Sequence, residues 1–391
     1  MIRARGNPQP LRSVAALGRV ALAATIVAVA LATGAPSAAG AQTWTTAPAT
    51  PFAFTRFDAE YSLSTGRVYF LGGRLSSAIT PDTDGSVWSW DPISGVYADT
   101  GRDMPTPVSN YQIARIFDAT GAEAFVLFGG RQTAGGVVTT VQAYYPATDE
   151  TRLFAADPLP LATSPGGVEV VDGLAYVFGG FDATAMSAAT YIFDIDAADG
   201  ARWTTGPNLS EASSYHGTAV VDGIIYAIGG ATWDGANLFA RARVERLDTT
   251  QAVLAWDDAG VADLPLACDE MRATGFDTAS GYELAGQIVV AGCGQWPTEL
   301  AESLLFDVAS NSWDQTFPDL NLARRNHAGA FLPFGPGGGG LPGVWVWGGR
   351  QVDDTTILTT PEYYGFSTGS PLIFADGFET GSTVAWSSAV P

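Results

Sequence analysis

The chain contains no lysine, and only 2 histidines, 2 cysteines and 4 methionines among its 391 residues. Arginine alone carries the positive charge, and 19 basic residues face 40 acidic ones, for a net charge of −21. That balance repels phosphate backbones and anionic bilayers, so it excludes a nucleic-acid partner and an anionic membrane surface. It suits a solvated acidic exterior. No His-Glu-x-x-His helix occurs. The glycine run at 335–340 lacks the Lys-Ser/Thr of a phosphate loop and reads as a flexible turn. The longest apolar stretch, Val20 to Ala32, spans 13 residues. A membrane-crossing helix needs roughly 20.

That stretch has another reading. Arg3, Arg5, Arg12 and Arg19 precede it, and Ala39-Gly40-Ala41 follows as an A-x-A cleavage site. Residues 1–41 therefore read as a secretory signal peptide, with a mature start at Gln42 and no lipoprotein cysteine after the cut. The chain is expected to be secreted, to the periplasm, the cell surface or the medium. With four arginines removed, the mature chain carries 15 − 40 = −25. In an oxidising compartment Cys268 and Cys293 are expected to pair, because one precedes and the other follows two neighbouring antiparallel strands.

What the sequence has in abundance is a repeat. Six short apolar runs each end in a glycine pair or its variant: Gly72-Gly73, Gly129-Gly130, Gly179-Gly180, Gly229-Gly230, Gly292-Cys293-Gly294 and Gly348-Gly349. Their first glycines are 57, 50, 50, 63 and 56 residues apart. That period matches a four-stranded propeller blade. Each unit shows an inner strand, a tight turn such as Asp222-Gly223, and then the diglycine strand. A third strand with aromatics near Asp follows, as in Tyr191-Ile192-Phe193-Asp194. The fourth is marked by Tyr97, Phe154, Trp203, Trp256 or Trp313. The sixth unit lacks a fourth strand, and Trp44 supplies one with no strands before it. An all-β, six-bladed propeller is predicted, with the N-terminal strand closing the last blade.

The diglycine, the aromatic-Asp and the downstream Trp resemble kelch repeats over residues 42–366. The resemblance implies a kelch β-propeller, expected to be monomeric. Residues 367–391 fall outside the repeat. Their Asp376-Gly377-Phe378-Glu379 core and Trp386-Ser387 end resemble a short C-terminal tail of secreted bacterial proteins, implying sorting or surface attachment.

Inner strands of a propeller line the central channel. Counting from the diglycines places Phe57, Gln112, Gly166, His216, Arg272 and His327 at strand entry. Arg56, Tyr111, Pro165, Tyr215, Met271 and Asn326 precede them. From this ring Arg56, Tyr111, Gln112, Tyr215, His216, Arg272, Asn326 and His327 are the binding candidates. Three residues along, the same count gives Glu60, Arg115, Glu169, Ala219, Gly275 and Ala330. A Glu-Arg-Glu wall could be an internal salt bridge, or a site for a carboxylate, hydroxyls and acid–base work. Arg74, Arg131 and Arg350 each follow a diglycine and read as solvated or ion-paired.

Tyr215-His216 with His327 invites comparison with galactose oxidase, a copper enzyme on a kelch propeller. Two imidazoles two blades apart, with both cysteines committed, do not furnish its copper set, so no metal or cofactor is expected. Asp82-Thr83-Asp84-Gly85 and Asp194-Ile195-Asp196 lack a full calcium-loop spacing. Three functions remain. One is a surface-displayed structural module, resting on the C-terminal tail. Another is a non-catalytic module binding protein or glycan through its loop-bearing face. The third is an enzyme resembling the bacterial kelch epimerases and mutarotases that act on sialic acid, with Glu60, Arg115 and Glu169 as its machinery.

Overall fold

The structure, a computed structural model, describes residues 42–75, 82–133, 135–295, 297–351 and 356–368. The proposed signal peptide (1–41) and all but the first two residues of the C-terminal tail lie outside the described residues.

Among the described residues six four-stranded antiparallel sheets form the blades, two short two-stranded ribbons (Ala231–Trp233 with Leu238–Ala240, and Cys293–Gln295 with Thr298–Leu300) accompany blades four and five, and no α-helix occurs. The inner strands are Ala59–Tyr61, Gln112–Phe117, Gly167–Val171, Gly217–Val221, Arg272–Gly275 and Ala328–Leu332. The sheet of the sixth blade runs inner strand, Gly343–Trp347, Glu362–Gly365 and then Thr45–Thr46. The N-terminal strand thus closes the last blade, pairing Thr45 with Tyr363 and Thr46 with Glu362. Trp44 locks this joint, donating its indole N–H to the Pro318 carbonyl at 2.9 Å.

The glycine pair has a specific task. The first glycine of every pair adopts a left-handed φ, from 59 to 70°. In blades two, three, four and six a Cβ there would collide with a carbonyl oxygen of the next blade's entry loop, that of Thr163, Ser213, Cys268 or Phe54, and in blade one with the Asp84 carbonyl of the same sheet. In the first four of these the following N–H donates to that same carbonyl: Gly130 to Thr163, Gly180 to Ser213 and Gly230 to Cys268 at 2.8–2.9 Å, and Gly349 to Phe54 at 3.1 Å. Only glycine allows both the φ and the approach.

The aromatic marks fill the space within and between blades. Trp203 packs on Phe193 at 5.0 Å, Trp256 on Phe178 at 4.9 Å and Trp313 on Phe306 at 4.8 Å. Trp203 and Trp313 also donate to the carbonyls of Asp157 and Ala262, so each large apolar ring has a satisfied polar edge. Cys268 and Cys293 form a disulfide that ties the approach to the inner strand of blade five to the end of its second strand.

Candidate functional site

The strand register corrects the alignment read from the sequence. The residue three places before the first glycine pairs with Glu60, Ala114, Glu169, Ala219, Thr274 and Ala330 around the six blades. Arg115 and Gly275 sit one residue further along. Counting through hairpins of unequal length slipped blades two and five by one, and one residue reverses the face of a strand. Glu60 and Glu169 therefore share a row with an alanine between them, not an arginine.

The row before strand entry shifts in the same way. It holds Arg56, Asn110, Pro165, Tyr215, Glu270 and Asn326, in place of Tyr111 and Met271. All but the proline carry φ between 52 and 64°. This unusual conformation turns their backbones into a ring about the axis. Asn110 N–H donates to Arg56, Arg56 to Asn326, Asn326 to Glu270 and Glu270 to Tyr215, at 2.8–3.0 Å. Pro165 has no N–H and interrupts the ring; Gln112 Nε2 reaches its carbonyl at 3.4 Å.

Side chains plug this entry mouth. Glu270 accepts from Arg56 at 3.2 Å, and from Arg325 and Asn326 at 2.6 Å. Burial would raise the Glu270 pKa, but the two guanidiniums and the amide together hold it below the usual range. Arg272 pairs with Asp58 at 3.2 Å and donates to the Phe57 carbonyl at 3.0 Å. Tyr111, buried, receives the Asp58 N–H on its hydroxyl at 3.0 Å. Only about 30 Å³ of free space remains between Arg56, Tyr215, Glu270 and their neighbours.

Both histidines are packed away. His216 Nδ1 donates to the Gly229 carbonyl at 3.0 Å, and Nε2 lies 3.1 Å from Ser213 Oγ. Burial lowers its pKa to about 4, so it is neutral at physiological pH. His327 is fully buried, borders none of the three cavities, and is likewise pushed well below the ordinary histidine value by burial. Of the arginines after the diglycines, Arg74 and Arg350 are buried, and Arg131 lies over the Phe181 ring at 5.2 Å.

Past the plug the channel widens. A middle chamber of about 110 Å³ is lined by Asp58, Gln112, His216 and Arg272 together with Glu60 and Glu169. It shares those two carboxylates with a cavity of about 450 Å³ at the far ends of the inner strands. Glu60, Arg115 and Glu169 all line that larger cavity. Thr218 and Thr274 extend the polar wall, while Tyr61, Tyr282, Phe331 and Pro333 supply apolar surface.

Electrostatics separates this end from the plug. Burial raises Glu60 to about 7; Arg115 opposes the rise, while Asp58 and Glu123 add to it. Burial raises Glu169 to about 8, against a hydrogen bond from Thr218 and with help from Glu60. Arg115 Nη1 donates to the Tyr61 carbonyl at 2.7 Å, which fixes the guanidinium against blade one. Two carboxyl groups thus face one cavity, both poised to exchange protons near neutral pH.

Asp58 escaped the sequence reading, although it lies two residues before Glu60 and so on the same strand face. Tyr282 carried no such signal, because it enters from the long hairpin loop of blade five.

No family model and no curated protein matches the chain. Among solved structures 554 chains match. One, described as the structure of YjhT, is 17% identical with a TM-score of 0.59, covering 80% of this chain and 95% of that chain. At that identity the likeness is one of fold alone, a β-propeller.

Proposed function

We propose that this protein is a secreted kelch-type propeller that binds a small glycan in the wide end of its central channel. In this reading residues 1–41 are the signal peptide, 42–366 the propeller and 367–391 a sorting tail. The observation that carries it is a single cavity of about 450 Å³ presenting Glu60, Glu169 and Arg115 beside tyrosine and phenylalanine. Hydroxyl-rich ligands use carboxylates as acceptors, and sugar rings lay their C–H faces on aromatics. A protein partner would engage the loop-bearing face instead, and a cavity of about 450 Å³ fits the smaller ligand.

A second reading, an epimerase or mutarotase, draws on the proton-exchanging pair. With Glu60 at about 7 and Glu169 at about 8, a share of molecules near neutral pH holds Glu60 ionised and Glu169 protonated. The carboxylate takes the proton of an anomeric hydroxyl while the carboxylic acid gives its proton to the ring oxygen. The C–O ring bond breaks and leaves the open-chain carbonyl form. Reversal on the other face of that carbonyl completes anomer exchange with protons conserved.

Saturation-transfer NMR of the full chain against sialic acids, neutral sugars and oligosaccharides tests both readings. Saturation of sugar protons, lost in Glu60→Gln and Glu169→Gln, supports the binding module. Accelerated exchange of anomeric signals in the same tubes, abolished by those variants and by Arg115→Ala, supports the enzyme. Silence across the panel overturns the channel as a glycan site.

A further inference from the structure

We infer that the channel selects a ligand carrying a positive charge, an amino sugar in its ammonium form, over neutral or carboxylate sugars. This inference rests on the glycan reading above and names its substrate class.

The charges around the cavity do not cancel. Blade one contributes Asp58 and Glu60, blade two Arg115 and Glu123, blade three Glu169 and blade five Arg272. Blade four adds Thr218 and the neutral His216, and blade six only Gly329, Ala330 and Phe331 with Pro333. Asp58 is spent on Arg272 at 3.2 Å. Glu123 is spent on Ser62 at 2.6 Å and on the Leu63 and Ser64 N–H groups at 2.9 and 3.0 Å.

What remains is Glu60 and Glu169 against Arg115 alone. That guanidinium is already anchored by the Tyr61 carbonyl at 2.7 Å. Glu60 makes no side-chain hydrogen bond or ion pair among the described residues, while both groups open onto the cavity. An ammonium group is the ligand feature that satisfies two convergent carboxylates while donating three hydrogen bonds. A ligand carboxylate would have to displace Arg115 from its anchor and sit beside two acids.

The same geometry ties binding to pH. Without a ligand the pair relieves its repulsion by holding a proton; burial places Glu60 at about 7 and Glu169 at about 8. An arriving ammonium replaces that proton, so cation binding should strengthen as pH rises through this range. An anionic sugar should do the reverse.

The test is isothermal titration of the full chain with three ring-matched probes, glucosamine, glucose and glucuronate, at pH 5.5 and pH 7, where the glucosamine amine stays mostly protonated. The expected result is glucosamine tighter than glucose by about tenfold at pH 7. Its affinity should fall at pH 5.5, with proton release visible as a buffer-dependent heat. Glu60→Gln and Glu169→Gln should erase the preference while the thermal midpoint stays at or above that of the parent. Glucose or glucuronate binding as tightly as glucosamine would overturn the charge selection and leave the glycan site standing. Glucosamine binding untouched by either substitution would overturn it by placing the amine elsewhere. Silence from all three probes, together with silence in the wider NMR panel, would remove the glycan site and the selection together.

Discussion

The two ends of the channel are built from the same six strands, yet they use charge in opposite ways. At the entry end Arg56, Arg325 and Asn326 surround Glu270, and Arg272 meets Asp58. Every acid there has a basic partner, and free space falls to about 30 Å³. At the far end Glu60 and Glu169 outnumber Arg115 around about 450 Å³. Partnered charge closes one mouth, and surplus charge marks the other. Residue type does not separate the two ends, since both hold Glu and Arg; pairing does. A buried acid with its partners in place behaves as structure, whereas one left to protonate is a group available to a ligand.

Breaking the closed end should have the largest effect. Glu270→Ala removes the buried carboxylate that Arg56 and Arg325 share, leaving Arg325 with Glu299 alone, and should cost about 3–5 kcal/mol in denaturant unfolding. Sugar binding at the far end should change little. A loss below about 1 kcal/mol would show that the entry cluster is not what holds that mouth. Next comes the staple beside it. Replacing Cys268 and Cys293 together by Ser opens a loop of 25 residues. That should cost about 2–4 kcal/mol, read as a lower urea midpoint than that of the oxidised parent.

The open end should respond to pH. Glu60 and Glu169 have folded pKa values of about 7 and about 8 against an ordinary 4.5. From 4.5 to about 8 the folded state binds more protons than the unfolded chain, so their contribution declines as pH rises. His216, at about 4 against 6.5, acts oppositely and is complete above 6.5. Between pH 6.5 and 8 the carboxyl pair should therefore dominate, lowering stability by roughly 1–2 kcal/mol. Glu60→Gln with Glu169→Gln should flatten that stretch of the profile. An unchanged slope in the double variant would assign the effect to other groups. The smallest effect belongs to the outer surface. Arg102 and Asp149 pair at 3.8 Å with both side chains nearly half exposed, so Arg102→Ala should change stability by less than about 1 kcal/mol.

Much of the architecture was legible because it repeats. The diglycine reports a backbone demand that no other residue meets, and six copies of that demand count the blades. Trp44 and the missing fourth strand of the last unit announced the closure, and Cys268 and Cys293 bracketed one strand pair. The site was legible only in part. Glu60, Arg115 and Glu169 do line one cavity, but the inferred row was wrong by one residue in blades two and five. The ring of left-handed residues, with Asn110 and Glu270 in it, went unseen because φ is not written in a residue name.

The sequence by itself determined the number of blades, the order of strands and the way the circle closes, since these follow from local patterns repeated along the chain. The tertiary structure alone decided which charges find partners. Arg325 lies 55 residues from Glu270, and Arg272 lies 214 residues from Asp58. Whether an acid is cancelled or left to bind depends on a few ångströms between distant blades, and hairpin length and register set that spacing.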